Sequence, residues 1–141
     1  MSNLSLCLPP FAADYSGACS VLFDYDCLTV ILDAGCCTRN YVEYDEPRWE
    51  TSRKLLYSAQ IRSMDVVLGD EAALIKQIGK ALTQISPSFI ALVATPVPAI
   101  VGMDVDGIAL EIEQQFGIPC ISIKTNGFDT YEQGVSRTYL S

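Results

Sequence analysis

Six cysteines and no histidine set the chemistry open to this chain. The thiols are Cys7, Cys19, Cys27, Cys36, Cys37 and Cys120. Without an imidazole there is no Ser-His-Asp or Cys-His relay, and no histidine-ligated zinc or haem. Redox or metal chemistry must therefore use thiolates, carboxylates or a bound cofactor. No C-x-x-C pair is present, so neither a thioredoxin-like couple nor a zinc ribbon is indicated. Cys19 and Cys27 lie in apolar surroundings, and these two and Cys120 are expected as small core residues. Cys36 and Cys37 stand apart. They follow the apolar run Leu28–Leu32 through Asp33-Ala34-Gly35, where the glycine lets the backbone turn sharply. Adjacent cysteines seldom both ligate one ion in good geometry. The pair suits one ligand and one packing residue, or two small residues filling a tight turn.

Other chemistries are excluded by missing signatures. No G-x-G-x-x-G follows a strand and no G-x-x-x-x-G-K-[ST] occurs, so no nucleotide is expected as a cofactor. Asp104 and Asp106 sit near a helix start, where the helix dipole accounts for acidic residues. The formal net charge of -8 repels phosphate backbones and anionic membrane, so neither nucleic acid nor membrane is an expected partner. No apolar stretch approaches the roughly 20 residues of a membrane span. Met1–Phe11 lacks the basic region of a signal peptide. A cytoplasmic location with reduced thiols is the expectation.

The elements that must position Cys36 and Cys37 come from apolar patterning. Four runs, Leu28–Leu32, Met64–Leu68, Phe89–Ala94 and Ile118–Ile123, lack clean alternation and suit strands buried on both faces. Leu74, Ile75, Ile78, Leu82 and Ile85 share one helical face, with Asp70 as N-cap and Pro87 beyond the end. Val105, Ile108, Ala109, Ile112 and Phe116 form a second stripe, closed by Gly117 and Pro119. A short helix is expected over Ser16–Asp24. Thr38–Arg53, with Tyr41, Tyr44 and Trp49, is expected as a long loop leading into a helix near Ser52–Ile61. The tail with Tyr131, Gly134 and Tyr139 reads as the start of another helix, which truncation of a larger protein would explain.

Strands alternating with helices predict a three-layer, Rossmann-like α/β domain with four parallel strands and helices on both faces. Ligands in such sheets bind beyond the carboxyl ends of the strands. The segments there are Asp33-Ala34-Gly35-Cys36-Cys37, Gly69-Asp70, Thr95-Pro96-Val97-Pro98 and Lys124-Thr125-Asn126-Gly127.

These segments carry a resemblance. Gly17-Ala18, a helix, a strand and a Gly-Cys loop resemble the opening of nitrogenase component 1-type oxidoreductases. That family includes the molybdenum-iron protein subunits, cofactor-assembly scaffolds and dark-operative protochlorophyllide reductase. Met64-Asp65-Val66-Val67-Leu68-Gly69-Asp70-Glu71 is similar to the family's D-I-V-F-G-G-E segment. Ile100-Val101-Gly102-Met103-Asp104-Val105 is similar to its I-I-G-D-D-I helix start. Gly117-Ile118-Pro119 and Gly127-Phe128 are similar to its G-I-P-V strand and G-F turn. The likeness runs from about Pro9 to Gly134.

What the resemblance implies is an N-terminal domain, residues 1–141, of a longer nitrogenase-like subunit. The family's first loop reads His-Gly-Pro-x-Gly-Cys, and its cysteine ligates an iron–sulfur cluster. Here Leu32 and Ala34 stand near the His and Pro positions. With Leu32 at the His position, Cys37 is the implied ligand, and Cys36 is the ligand in the other register. The family's N-terminal ligand falls near Cys7. Its Thr-Cys ligand falls on Thr95-Pro96, where the cysteine is missing. Gly35, Thr95 and Pro96 are the implied cofactor-binding positions, and Cys37, Cys36 and Cys7 the implied metal ligands, with Arg39 available as a positive partner for a thiolate. The implied partners are a homologous subunit, in a homo- or hetero-oligomer that shares the cluster, and an ATP-dependent iron-protein reductase. Alternatively, the same fold serves as a cluster-free scaffold. The isolated chain is expected to self-associate, with the Tyr41–Trp49 segment at the contact.

Overall fold

The computed structural model describes residues 12–46, 48, 55–61 and 71–141. The chain begins with helix α1 (Asp14–Leu22), then strand β1 (Cys27–Leu32) and a short helix α2 (Cys36–Asn40) that widens into a π-helical turn over Tyr41–Asp45. Strand β2 (Leu56–Ser58) and helix α3 (Glu71–Leu82) come next, then β3 (Phe89–Ala94) and a short α4 (Pro96–Val101). Helix α5 (Val105–Phe116), β4 (Cys120–Lys124) and α6 (Tyr131–Leu140) complete it. The four strands are parallel in the order β2-β1-β3-β4.

The central strands read as apolar runs, broken only by Thr29 of β1, because both their faces are covered. Leu28, Val30 and Leu32 of β1, with Ile90, Leu92 and Ala94 of β3, face Leu74, Ile75 and Ile78 of α3 and Ile108 and Ile112 of α5. Cys27, Ile31, Ala91 and Val93 point the other way, onto Ala18, Cys19 and Leu22 of α1. The register Val30↔Leu92 and Ile31↔Val93 brings like faces side by side across the sheet. The expected three-layer parallel architecture is the one found. Cys19 and Cys27 are core residues, as expected, and Cys120 is half buried.

Several expectations need correcting. The second run, Met64–Leu68, and the N-cap Asp70 lie outside the described residues, as do Cys7 and Trp49. The strand that flanks β1 is Leu56–Ser58, inside the stretch expected to be helical. The open edge of β1 explains it: Thr29 N–H donates to Leu55 O (2.9 Å) and Ala59 N–H to Ile31 O (2.9 Å). A buried strand needs partners for its backbone groups, and that requirement overrides a weak local helical preference. The segment expected as loop from Thr38 is helical through Asp45. Tyr41 is only 1% exposed and packs in the α1-side core, so it offers no surface for self-association.

Two features lock α1. At its carboxyl end, the Arg48 guanidinium lies 4.3 Å from the centroid of the Phe23 ring. It donates to Ser20 O (2.8 Å), to Asp24 Oδ1 (2.6 Å) and to both carboxylate oxygens of Glu46 (2.6 and 2.7 Å). The hydrogen bonds from Arg48 hold the buried Glu46 carboxyl below its usual range. Elsewhere α1 crosses α6 at glycines. A Cβ on Gly134 would sit 1.9 Å from Asp14 O, and one on Gly17 would sit 2.1 Å from Tyr131 O. Backbone meets backbone there, so no side chain can move aside.

Gly134→Ala is therefore expected to destabilise the domain by about 3 kcal/mol, the upper end for overpacking, in urea denaturation. A loss below about 1 kcal/mol would mean that α6 slides freely on α1. Glu46→Gln should cost about 2 kcal/mol at neutral pH, as expected when a charged hydrogen bond is weakened. The folded state binds the Glu46 proton less readily than the unfolded chain. Its stabilisation is thus present above the unfolded value of about 4.3 and fades as pH falls through the lower folded value. Acid denaturation should accordingly be shallower in Glu46→Gln.

Candidate functional site

At the carboxyl edge, the ends of β1, β3 and β4 are each tied down by a buried polar residue. After β1, the fully buried Asp33 carboxylate accepts hydrogen bonds from Thr38 N–H (2.9 Å), Thr38 Oγ1 (3.0 Å) and Ser58 Oγ (2.7 Å). After β3, the Thr95 hydroxyl donates to Leu32 O (2.7 Å). After β4, Thr125 donates to Ala94 O from both its N–H and its hydroxyl (2.8 Å each). These bonds fix the loops to one another before any ligand is considered.

Gly35 turns the chain from β1 into α2 at φ +102°, a left-handed conformation that favours glycine. A Cβ there would lie 3.8 Å from Gln60 Cγ, so the loop after β2 covers this turn. Cys36 and Cys37 open α2. Cys36 is exposed, while Cys37 is half buried against the α1-side core. Cys37 packs against the α1-side core that includes Tyr15. Burial pushes the Cys37 thiol up to about 12, aided by the neighbouring Cys36 and Asp33, while Tyr15 pulls the other way. Arg39, expected beside the thiol, instead pairs with Glu43 at 2.9 Å, one turn further along the helical segment. Cys37 is thus held as a neutral thiol.

The remaining expected positions fall as follows. Thr95 is buried, and its hydroxyl already serves Leu32. Pro96 is half exposed and packs by Gly127, whose added Cβ would lie 3.1 Å from Pro96 Cγ. The contacts of Thr95 and Pro96 thus run to Leu32 and Gly127. Cys7 lies outside the described residues, and so do Gly69 and Asp70 of the fourth edge segment.

Sequence reasoning missed Asp33 and Asp14, the two carboxylates that organise this edge. Asp14 is fully buried at the start of α1 and accepts from Asn126 N–H (2.9 Å), Gly127 N–H (2.9 Å) and Arg137 Nη1 (2.9 Å). Arg137 also pairs with Asp129. An aspartate next to an apolar segment was the available signal: a charge there is buried only if partnered. Asp104 caps α5 by accepting from Gly107 N–H (3.1 Å), and Asp106 pairs with Lys124.

A 4Fe–4S cluster takes about four thiolates. Among the described residues, no group of three or more Cys, Asp or Glu converges to hold a metal. Among the described residues, the Cys36–Cys37 turn thus offers too few donors for a whole cluster. Among the described residues, no helix is long and apolar enough to cross a membrane.

The parallel sheet and its cysteine-bearing first loop define a Rossmann-like α/β domain with thiols at the carboxyl edge of the sheet. The chain belongs to the nitrogenase component 1 type oxidoreductase family, whose model matches residues 14–139. It is 30% identical over 81 residues to the nitrogenase iron-molybdenum cofactor biosynthesis protein NifE of Rhizobium meliloti (strain 1021), covering 57% of this chain and 16% of that protein. To the NifE of Clostridium pasteurianum it is 29% identical over 72 residues, covering 51% and 16%. The chain thus spans about a sixth of these relatives. Two solved structures share the fold. Nitrogenase Cp1 at pH 5 superposes with TM-score 0.73 at 18% identity, over 92% of this chain and 28% of that one. Nitrogenase Cp1 at pH 6.5 gives 0.68 at 19%, over 86% and 25%.

The contrast between the thiols is testable by timed alkylation with iodoacetamide at pH 8, read by mass spectrometry. Burial pushes the Cys37 thiol up, which lowers its thiolate fraction at that pH. Cys36 should label first and Cys37 at least about tenfold more slowly. Equal rates would show that the half-buried position does not suppress ionisation.

Proposed function

We propose that this chain is the N-terminal domain of a nitrogenase component 1-like oxidoreductase subunit. In this reading it helps hold an iron–sulfur cluster at an interface with a homologous subunit. The assembled protein, in the cytoplasm, receives electrons from an ATP-dependent iron-protein reductase. The observation that carries the reading is the exposed Cys36, set by Gly35 directly beyond a buried central strand. Its exposure favours Cys36 as the ligand over Cys37, whose thiol turns towards Tyr15 and the core. A bound cluster would supply one-electron transfer. The chain's own part is to hold one thiolate on a rigid turn, with Asp33 fixing α2 from beneath and Thr95 fixing the neighbouring strand end. Rigid placement matters because a ligand's donor atom must be pre-set for the metal.

A second reading, a cluster-free scaffold that holds a cofactor or partner, draws on two observations. Both curated relatives are named for iron-molybdenum cofactor biosynthesis. The described residues also lack a three-donor group.

Anaerobic reconstitution with iron and sulfide, in the presence of a homologous partner subunit, separates the two. The first reading expects a charge-transfer band in the visible and bound iron, lost in Cys36→Ala and largely kept in Cys37→Ala. If the parent chain with its partner takes up no iron, the scaffold reading replaces it.

A further inference from the structure

The two oxygens of the Asp33 carboxylate serve different elements. Oδ2 accepts from Thr38 N–H (2.9 Å) and Thr38 Oγ1 (3.0 Å), which holds the helical turn that begins with Cys36 and Cys37. Oδ1 accepts from Ser58 Oγ (2.7 Å), at the end of β2. Asp33 is fully buried, and a buried charge is tolerated only with donors around it. One carboxylate thus ties the edge strand to the thiol-bearing turn. A second contact comes from just beyond β2. Gln60 has φ +47°, and among the described residues it is the only non-glycine residue with left-handed backbone. Glycine adopts that conformation at lower cost. It is imposed on Gln60 from both sides. Ala59 N–H donates to Ile31 O (2.9 Å) and Ile61 N–H to Asp33 O (2.6 Å), while Ile61 is buried in the core beneath α3 and α5. Held this way, the Gln60 side chain lies over the glycine before Cys36: a Cβ built on Gly35 would be 3.8 Å from Gln60 Cγ. Backbone kept in a costly conformation by its surroundings is characteristic of segments that position a site.

We propose that the end of β2 positions the thiol-bearing turn, Ser58 acting through Asp33 and Gln60 through Gly35. The inference rests on the reading of Cys36 as the working thiol of this edge, and it adds two positioning residues from a strand outside the β1–α2 turn. Their effect is to keep Cys36 outward and Cys37 inward. With the turn pinned, Cys36 is exposed and Cys37 stays half buried. A loosened turn lets Cys37 reach solvent. Cys120 provides the internal control, because it is also half buried but lies on β4, at the opposite edge of the sheet from β2.

The test uses the full 141-residue chain, reduced and free of added metal, so its outcome does not depend on whether a cluster is bound. Timed iodoacetamide labelling, read by mass spectrometry, gives separate rates for Cys36, Cys37 and Cys120. Ser58→Ala should raise the Cys37 rate about fivefold, the effect of one lost hydrogen bond on a local opening equilibrium. Ser58→Thr keeps a hydroxyl and should restore the parent rate. Gln60→Gly should also raise the Cys37 rate. Its thermal midpoint should stay close to the parent's, because relief of the left-handed backbone offsets the freedom glycine adds to the unfolded chain. In both variants the Cys120 rate should stay at the parent's value, whereas a fold loosened as a whole would raise it in step with Cys37. Unchanged Cys37 rates in Ser58→Ala and Gln60→Gly would overturn the proposal, and so would equal acceleration at Cys120. If Ser58→Ala does not fold, Gln60→Gly decides alone. Iron uptake with a partner subunit is a separate measurement, whose failure would remove the cluster and leave the positioning role standing.

Discussion

The buried carboxylate of Asp14 joins the two ends of this fold. It lies at the first turn of α1, yet its partners lie more than a hundred residues away: Asn126 N–H, Gly127 N–H and Arg137, each at 2.9 Å. An ionised group with no exposed surface survives only when such donors surround it. Asp14 thus determines where the loop after β4 sits and where α6 docks. The Gly17 and Gly134 contacts then let α6 approach α1 to backbone distance, and the Ala13↔Thr130 bridge closes the same seam. If the carboxylate were lost, two backbone donors would stay behind without their acceptor, and Arg137 would keep only Asp129. Breaking such a buried set is generally costlier than never having built it.

The same device recurs at the strand ends. Asp33, Thr95 and Thr125 are all buried, and each spends its polar atoms on a neighbouring loop or strand end. In many enzymes, polar residues at such an edge are left for the ligand. Here they pin the edge itself.

The fold was legible because burial on both faces leaves a mark in sequence. Leu28–Leu32 and Phe89–Ala94 are continuous apolar runs, and α3 and α5 carry clear stripes. β2 was not legible. Its three residues are half exposed and take their conformation from the unpaired edge of β1, which no local pattern records. Tyr41 shows a similar limit: an aromatic in a polar stretch looks like a surface residue until a helical turn carries it into the core. At the site, the Gly35-Cys36-Cys37 turn could be placed from sequence because it directly follows a recognisable strand. The roles of Asp14 and Asp33 could not, because long-range pairing decides whether an aspartate is solvated or buried.

The two cysteines also illustrate how position along a helix separates chemically identical groups. Cys36 and Cys37 differ by one residue, which is about 100° of rotation around an α-helix. That rotation leaves Cys36 in solvent and turns Cys37 onto the α1-side core beside Tyr15. Desolvation then disfavours the Cys37 thiolate, and the negative charges of Asp33 and Cys36 add to the effect. A nearby guanidinium would have reversed the balance, but Arg39 is drawn to Glu43 by the helical i,i+4 spacing. The local backbone thus leaves Cys36 the more accessible of the two thiols.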